Sequence, residues 1–212
     1  KRFGMNVIMI KVNLSKGLNT DQIWPLIVLA GFGFFVSLVP LAPNDFWWHL
    51  KIGQLIFNQG QIPATNLFAW SLPSSHPFFY GAWLSEYLLY VFYHWGGLAL
   101  VTCLRSILFI STLWLVAIEA RRRSGSWRLS ALAIAMVSGS TLNNLAIRPQ
   151  IWSWLPFMAF WIVLNRNADR KLSNRWLLLL PLVMMFWVNA HGAFILGIIL
   201  IGIFFVGRFI LI

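Results

Sequence analysis

Apolar runs about as long as a bilayer is thick recur along this chain, and short segments carrying most of its arginines and lysines separate them. The chain is 59% hydrophobic, with a mean hydropathy of +0.75. A helix needs about 20 apolar residues to cross a hydrocarbon core of about 30 Å. Since backbone polar groups in lipid must be satisfied within the segment, we predict an all-α, polytopic bundle of transmembrane helices.

The apolar runs predict six membrane spans within one transmembrane domain that covers residues 1–212. The chain starts at Lys1 without Met and stops inside an apolar run, so we expect it to be the N-terminal part of a longer protein. The predicted spans, with approximate bounds, are 23–39, 98–120, 129–147, 151–164, 176–188 and 194–212.

The basic residues predict which loops face the cytoplasm. The formal net charge of +11 comes from residues between the apolar runs, where they act as topology signals and not as a nucleic-acid-binding surface. Cytoplasmic loops are rich in Lys and Arg, so the N-terminus, the loop at 121–128 and the loop at 166–175 are predicted to be cytoplasmic. The chain is thus predicted to lie in the cytoplasmic (inner) membrane.

The long connection 40–97 is predicted to be an external loop that contains two interfacial helices, at about 44–58 and 80–95. The second segment is apolar but too short for a usual span, and treating it as a span would place the triple-arginine loop outside. In the first helix, Asn44 suits the N-cap and Gly60 suits the left-handed C-terminal position.

Polar residues that are rare in this chain gather near the predicted external surface. The chain has only five acidic residues and four histidines. An acid or a histidine kept at a membrane surface among aromatic residues indicates a site. The candidate site residues are Asp45, His49, His76, Glu86, Arg105, Arg148 and His191.

Asp45 directly follows the first span and is the candidate general base or metal ligand. Its alternative role is structural, as an acid favoured by the dipole of the first helical turn. His49 lies one turn further along the same face, where it could bond to Asp45, orient a phosphate or share a cation with it. A solvated interfacial histidine is the alternative. A divalent cation is therefore an open question.

The other candidates also have two interpretations each. Glu86 needs a partner in its aromatic helix, and Arg105 in the next span is the predicted one, either as a structural pair or as part of a substrate site. Arg148 is suited to bidentate phosphate binding, or to anchoring at the interface. His191 lies in a turn with small residues that allow close approach of a ligand or of a neighbouring helix.

Several motifs together resemble the GT-C superfamily of membrane glycosyltransferases. The segment DFWWHLKIGQLIFNQGQIP, followed by HPFFYGAWLSE, is similar to the first external loop of protein mannosyltransferases and aminoarabinose transferases. The segment CLRSIL places Arg105 where such proteins have an arginine in the following span, and WVNAHGAF resembles a turn of bacterial members. One departure is that the next external loop, AIRPQIWSW, has no second acid.

This resemblance implies an enzyme that moves a sugar from a polyprenyl-phosphate carrier to an external acceptor. It implies that Asp45 deprotonates the acceptor, that Arg148 or Arg105 holds the phosphate, and that His49 or His76 orients substrate or metal. Two other functions fit the residues. The first is a non-catalytic membrane subunit. The second is a lipid or solute transporter, which would carry polar residues at mid-membrane, whereas here they lie near one surface.

Overall fold

The computed structural model describes residues 20–41 and 45–210, and these residues are folded almost entirely into helices. β-Bridge pairing among these residues is limited to one antiparallel bridge between Thr65 and Pro77. The all-α prediction is therefore confirmed. The seven α-helices of the described residues are α1 (Thr20–Leu38), α2 (Phe46–Gln59), α3 (Trp83–Ser124), α4 (Trp127–Thr141), α5 (Trp154–Ala168), α6 (Leu179–Ala190) and α7 (Ile195–Ile210).

Short 3₁₀ segments extend several of these helices or join them. Because a 3₁₀ turn is tighter than an α-turn, such segments commonly end or begin a helix. They lie at Leu142–Asn144, Pro149–Ser153, Asn174–Leu178 and Gly192–Phe194.

Two of the described helices, α1 and α3, are long and apolar enough to cross a membrane. The remaining predicted spans form shorter helices of 15 residues in α4, 15 in α5, 12 in α6 and 16 in α7. At a rise of about 1.5 Å per residue, a 15-residue helix covers about three quarters of the hydrocarbon core. The structure thus shows a helical chain with two helices of spanning length.

Helix α4 ends at Thr141, well before the predicted limit of 147. The hydroxyl of Thr141 donates to the backbone carbonyls of Val137 and Ser138, at 3.0 and 2.9 Å. Side chains that bond to the preceding turn compete with regular helical hydrogen bonds, and the following Asn143 and Asn144 favour turns. The apolar run alone could not reveal this early end.

The segment predicted as the first interfacial helix forms α2, which ends next to Gly60, while its position at a membrane interface stays a prediction. Gly60 adopts a left-handed conformation with φ of 67°, and its N–H donates to the carbonyl of Ile56. The predicted N-cap Asn44 lies outside the described residues. The N-cap position of α2 is held by Asp45, whose side chain makes no capping hydrogen bond.

Helix α3 contains the predicted boundary between the second interfacial helix and the following span. Gly96 and Gly97 have non-helical backbone angles, and Gly97 has a positive φ of 60°, which divides α3 into two helical parts. A side chain at Gly97 would be strained, because L-residues rarely adopt this conformation. The break lies between the predicted end near residue 95 and the predicted restart near 98, while the interfacial position of the first part stays a prediction.

Helix α2 packs closely against the first part of α3, and Gly53 permits the approach. A Cβ atom on Gly53 would clash with the backbone carbonyl of Glu86 and with the side chain of Tyr90. One buried apolar cluster continues this interface and joins α2, α3, the Pro149–Ser153 turn and the end of α6. It includes Phe46, Leu50, Leu89, Tyr90, Ile147, Ile151, Trp152 and Ala190.

Candidate functional site

The Asp45 carboxylate forms an ion pair with Arg148, across a separation of about one hundred positions in the chain. Asp45 Oδ2 lies 3.3 Å from an Arg148 guanidinium nitrogen, and the two side chains are 56% and 34% exposed. The backbone carbonyl of Asp45 accepts the first helical hydrogen bond of α2, from His49 N at 3.0 Å. The Asp45 side chain is therefore free to face Arg148 and the solvent.

The local backbone explains why Arg148 extends toward α2. A residue before proline avoids the helical region, because its backbone clashes with the proline ring. Arg148 precedes Pro149 and is extended, with φ of −141° and ψ of 166°. The Nε atom of Arg148 is buried and has no partner among the described residues. The Arg148 side chain is 34% exposed, so the donors that a ligand can reach are guanidinium nitrogens other than this buried Nε.

Glu86 pairs with His49, and the predicted Glu86–Arg105 pair is wrong. Glu86 Oε1 lies 2.7 Å from His49 Nδ1, and the side chains are 3% and 13% exposed. The close approach of α2 to α3 at Gly53 places His49 against this carboxylate. Glu86 Oε2 is buried and has no partner among the described residues. The pair fixes the imidazole ring, so that Nε2 is the nitrogen left for other contacts.

Arg105 is completely buried and binds backbone carbonyls instead of an acid. Its terminal nitrogens donate to Val36 O and Val39 O, both at 2.7 Å, and to Leu145 O at 3.1 Å. The last carbonyls of a helix have no intrahelical partner, so Arg105 caps the end of α1. It also ties α1 to the segment that follows α4. Its predicted role in substrate binding remains a prediction.

His191 lies in a buried polar network that sequence patterns did not indicate. Its Nδ1 accepts from Ala193 N at 3.2 Å and lies 3.1 Å from Ser153 Oγ, which in turn accepts from Trp187 Nε1 at 2.9 Å. Burial lowers the pKa of His191, and the neighbouring His49 adds a smaller lowering effect. A neutral His191 is consistent with an Nδ1 that accepts hydrogen bonds.

Five of the seven predicted residues are linked by two ion pairs, by one turn of α2 and by one electrostatic interaction. Asp45 contacts Arg148, His49 follows Asp45 by one helical turn and contacts Glu86, and His191 interacts electrostatically with His49. Ser153 connects His191 to the turn that begins after Arg148. Two carboxylates, a guanidinium and two imidazoles from four separate parts of the chain thus share one region.

His76 stands apart from this group. It is exposed in the connection between α2 and α3, and its hydrogen bonds within the described residues are backbone bonds with Asn66 and Pro73. Its predicted role in orienting substrate or metal is unsupported by these contacts and stays a prediction.

Three further residues of this region were not predicted from the sequence. Ser153 and Trp187 support His191, and Trp83 donates to Asn189 Oδ1 at 2.9 Å, which links the start of α3 to the end of α6. A serine or a tryptophan in an apolar run has no spacing that distinguishes a buried donor from a lipid-facing residue. Only the packing of α3, α5 and α6 identifies these partners.

A second charged cluster lies near the C-terminal end of α3. Glu119 is buried and forms ion pairs with Arg122, Arg123 and Arg166, while Arg122 also pairs with Asp169 at 2.7 Å. These contacts join two loops that were predicted only as positive topology signals. The cluster therefore has a structural function in holding the ends of α3 and α5 together.

The described residues contain no group of three or more His, Cys, Asp or Glu side chains placed to hold a metal ion. Comparison of the chain with protein-family models, with curated proteins and with solved structures gave no significant match. A functional assignment therefore depends on the residues and on the contacts described above.

Proposed function

We propose that this protein is a membrane glycosyltransferase of the GT-C kind, which moves a sugar from a polyprenyl-phosphate carrier to an extracytoplasmic acceptor. The observation that supports the proposal is the pairing of the Asp45 carboxylate with the Arg148 guanidinium, in the part of the chain that follows the spanning-length helix α1. Transfer from a lipid phosphate requires a base for the acceptor and a cation for the leaving group. Asp45 and Arg148 provide both within one region.

The proposed reaction assigns a separate task to each group. Asp45 accepts the proton of the acceptor hydroxyl as its oxygen bonds to the anomeric carbon. The bond from that carbon to the phosphate oxygen breaks, and its electron pair stays on the lipid phosphate. Arg148 binds the phosphate through the exposed part of its guanidinium. His49, held by Glu86, and neutral His191 orient the substrates through their remaining ring nitrogens.

We place the protein in the cytoplasmic membrane with its N-terminus in the cytoplasm and with six spans, four of them formed by the shorter helices α4 to α7. The basic loops support this orientation. Cysteine variants in a Cys103→Ser background can test it, because residues 76 and 171 are both exposed. A membrane-impermeant maleimide should label His76→Cys in intact cells and Lys171→Cys only after permeabilisation. Labelling of Lys171→Cys in intact cells would contradict the proposed topology and indicate the inverted one.

The phosphate-binding task of Arg148 predicts a specific loss of affinity. Undecaprenyl phosphate is the probe, because it is the leaving group whichever sugar is transferred. Arg148→Gln should weaken its binding about 10- to 100-fold, the effect of losing a charge-assisted hydrogen bond. The exposed Arg175 provides the control, since Arg175→Gln removes the same charge far from this region.

Titration of the purified protein in detergent, followed by native mass spectrometry, gives the comparison. Equal affinity of wild type and Arg148→Gln for undecaprenyl phosphate would contradict the proposed role of Arg148. Failure of the wild type to bind the probe would contradict the proposed donor class.

A non-catalytic membrane subunit is the second candidate, and one observation favours it. The pairs Asp45–Arg148 and His49–Glu86 each fasten α2 to a different part of the bundle, which is what a purely structural role requires. The two candidates differ in the consequence of removing the Asp45 charge. A structural Asp45 would affect stability slightly and a catalytic Asp45 would affect turnover strongly.

A further inference from the structure

The connection between α2 and α3 carries the most exposed aromatic side chains of the described residues. Trp70 is 96% exposed and Phe79 is 90% exposed. Leu67, Phe68 and Leu72 beside them are also exposed. Large apolar side chains grouped on a surface indicate that something other than water covers them.

The part of this connection around Trp70 has a defined conformation, because the Asn66 side chain makes hydrogen bonds to its backbone. The Asn66 side chain is buried, donates to Ala69 O and Leu72 O at 2.8 and 2.9 Å, and accepts from Ala69 N at 2.9 Å. A backbone bond from Asn66 N to His76 O and a bond from Tyr80 Oη to Thr65 O close its base. Trp70 is therefore presented outward by a loop that is already ordered.

The charge pattern of this part of the chain is suited to lipid. Residues 52–85 contain no Asp, Glu, Lys or Arg, a run of uncharged residues that includes the whole loop. A charged group costs about 2.5–3.5 kcal/mol at the centre of a bilayer, and its absence removes this obstacle to insertion. Exposed indole and phenyl rings prefer the boundary between headgroups and acyl chains.

The position of the loop in the fold brings it to a bilayer surface. Helix α1, which is of spanning length, ends at Leu38, and α2 begins only eight residues later at Phe46. The loop rests on α2 through Phe68, whose ring lies 6.2 Å from that of Trp48. Trp47 and Trp48 of α2 are themselves partly exposed, so the apolar surface of the loop continues onto this helix.

We infer that residues 66–73, which we name the Trp70 loop, insert together with the Phe79 side chain into the headgroup–acyl boundary of the bilayer as a preformed anchor. Its depth is that of an interfacial segment, about 5–10 Å below the headgroups. The inference rests on the proposed placement of α1 in the membrane, but not on the proposed catalysis. It gives the external connection a lipid-binding face in addition to the polar region near Asp45.

Fluorescence quenching in vesicles tests this inference. The labelled variants are Trp70→Cys and Phe79→Cys, each in a Cys103→Ser background and each carrying bimane. The vesicles are phosphatidylcholine with or without brominated acyl chains. We expect loss of fluorescence from both labels in brominated vesicles, together with protection from aqueous iodide. Because the two side chains are almost fully exposed, their replacement leaves the folded contacts intact.

Two further labelled positions serve as references, one for a side chain that faces lipid and one for a side chain that faces water. Phe34 is 68% exposed on α1, so Phe34→Cys should be quenched by brominated lipid. Ser173 is exposed in the loop before α6, so Ser173→Cys should be quenched by iodide.

Quenching of the label at position 34 by brominated lipid, together with quenching of the label at position 70 by iodide, would overturn the inference while leaving α1 in the membrane. Protection of 70 from both quenchers would also overturn it, since protein would then cover the loop. Absence of lipid quenching at 34 would contradict the proposed membrane placement itself.

Discussion

Asp45→Asn is expected to lower sugar transfer by about 100-fold or more, the scale of a lost general base. The substitution keeps the size of the side chain and removes its charge and its basicity. Release of undecaprenyl phosphate from a set of undecaprenyl-phosphate-linked sugars measures the reaction whichever sugar is transferred. The protein should be assayed as its gene encodes it, with any donor that supports wild-type turnover.

Asp21→Asn is the matched control for this change. Asp21 lies in the first turn of α1 and pairs with Arg128 at 2.9 Å. Like Asp45, it therefore stands at the start of a helix and has an arginine as its ion-pair partner. Both acids are substantially exposed, and each ion pair should contribute at most about 1 kcal/mol to stability. Wild-type turnover in Asp45→Asn would mean that Asp45 only fastens Arg148, and the non-catalytic function would then be favoured.

Arg105→Met is expected to destabilise the fold by about 3 kcal/mol or more. The arginine is fully buried and donates to three backbone carbonyls. Each carbonyl left buried without a donor costs about 1–3 kcal/mol. Removal of the buried charge offsets part of this loss, because its desolvation is no longer required. Unfolding of the purified protein in mixed micelles with increasing sodium dodecyl sulfate provides the measurement.

The exposed Arg128 provides the comparison for Arg105. Its side chain is 73% exposed, and Arg128→Met should change stability by no more than about 1 kcal/mol. A loss of less than about 1 kcal/mol in Arg105→Met would show that the carbonyls find other donors. Weaker binding of undecaprenyl phosphate with unchanged stability would instead support the predicted role of Arg105 in substrate binding.

The local backbone features were accessible from the sequence because they depend on neighbouring residues. Gly60 ends α2 in the left-handed conformation that glycine adopts without strain. Gly96 and Gly97 break α3 between the aromatic segment and the apolar run that the sequence distinguishes. The early end of α4 was not predicted, because hydropathy does not register hydroxyl groups that bond to the preceding turn.

The pairing of the site residues could not be derived in the same way. Glu86 was expected to pair with Arg105, since both were predicted near one surface and carry opposite charges. Helix α2 approaches α3 at Gly53, where a side chain would clash with the Glu86 carbonyl, and this brings His49 to the carboxylate. Arg105 instead donates to the backbone carbonyls of Val36 and Val39 at the end of α1.

The sequence by itself determined the helical class of the chain and the identity of its scarce polar residues. Apolar runs and glycine positions act over a few residues, so their consequences follow directly from the order of side chains. The tertiary structure alone decided which of those polar residues touch, since contacts such as Asp45–Arg148 join positions far apart in the chain. Such contacts depend on the distance and rotation between packed helices, which interdigitating side chains set and no local pattern encodes.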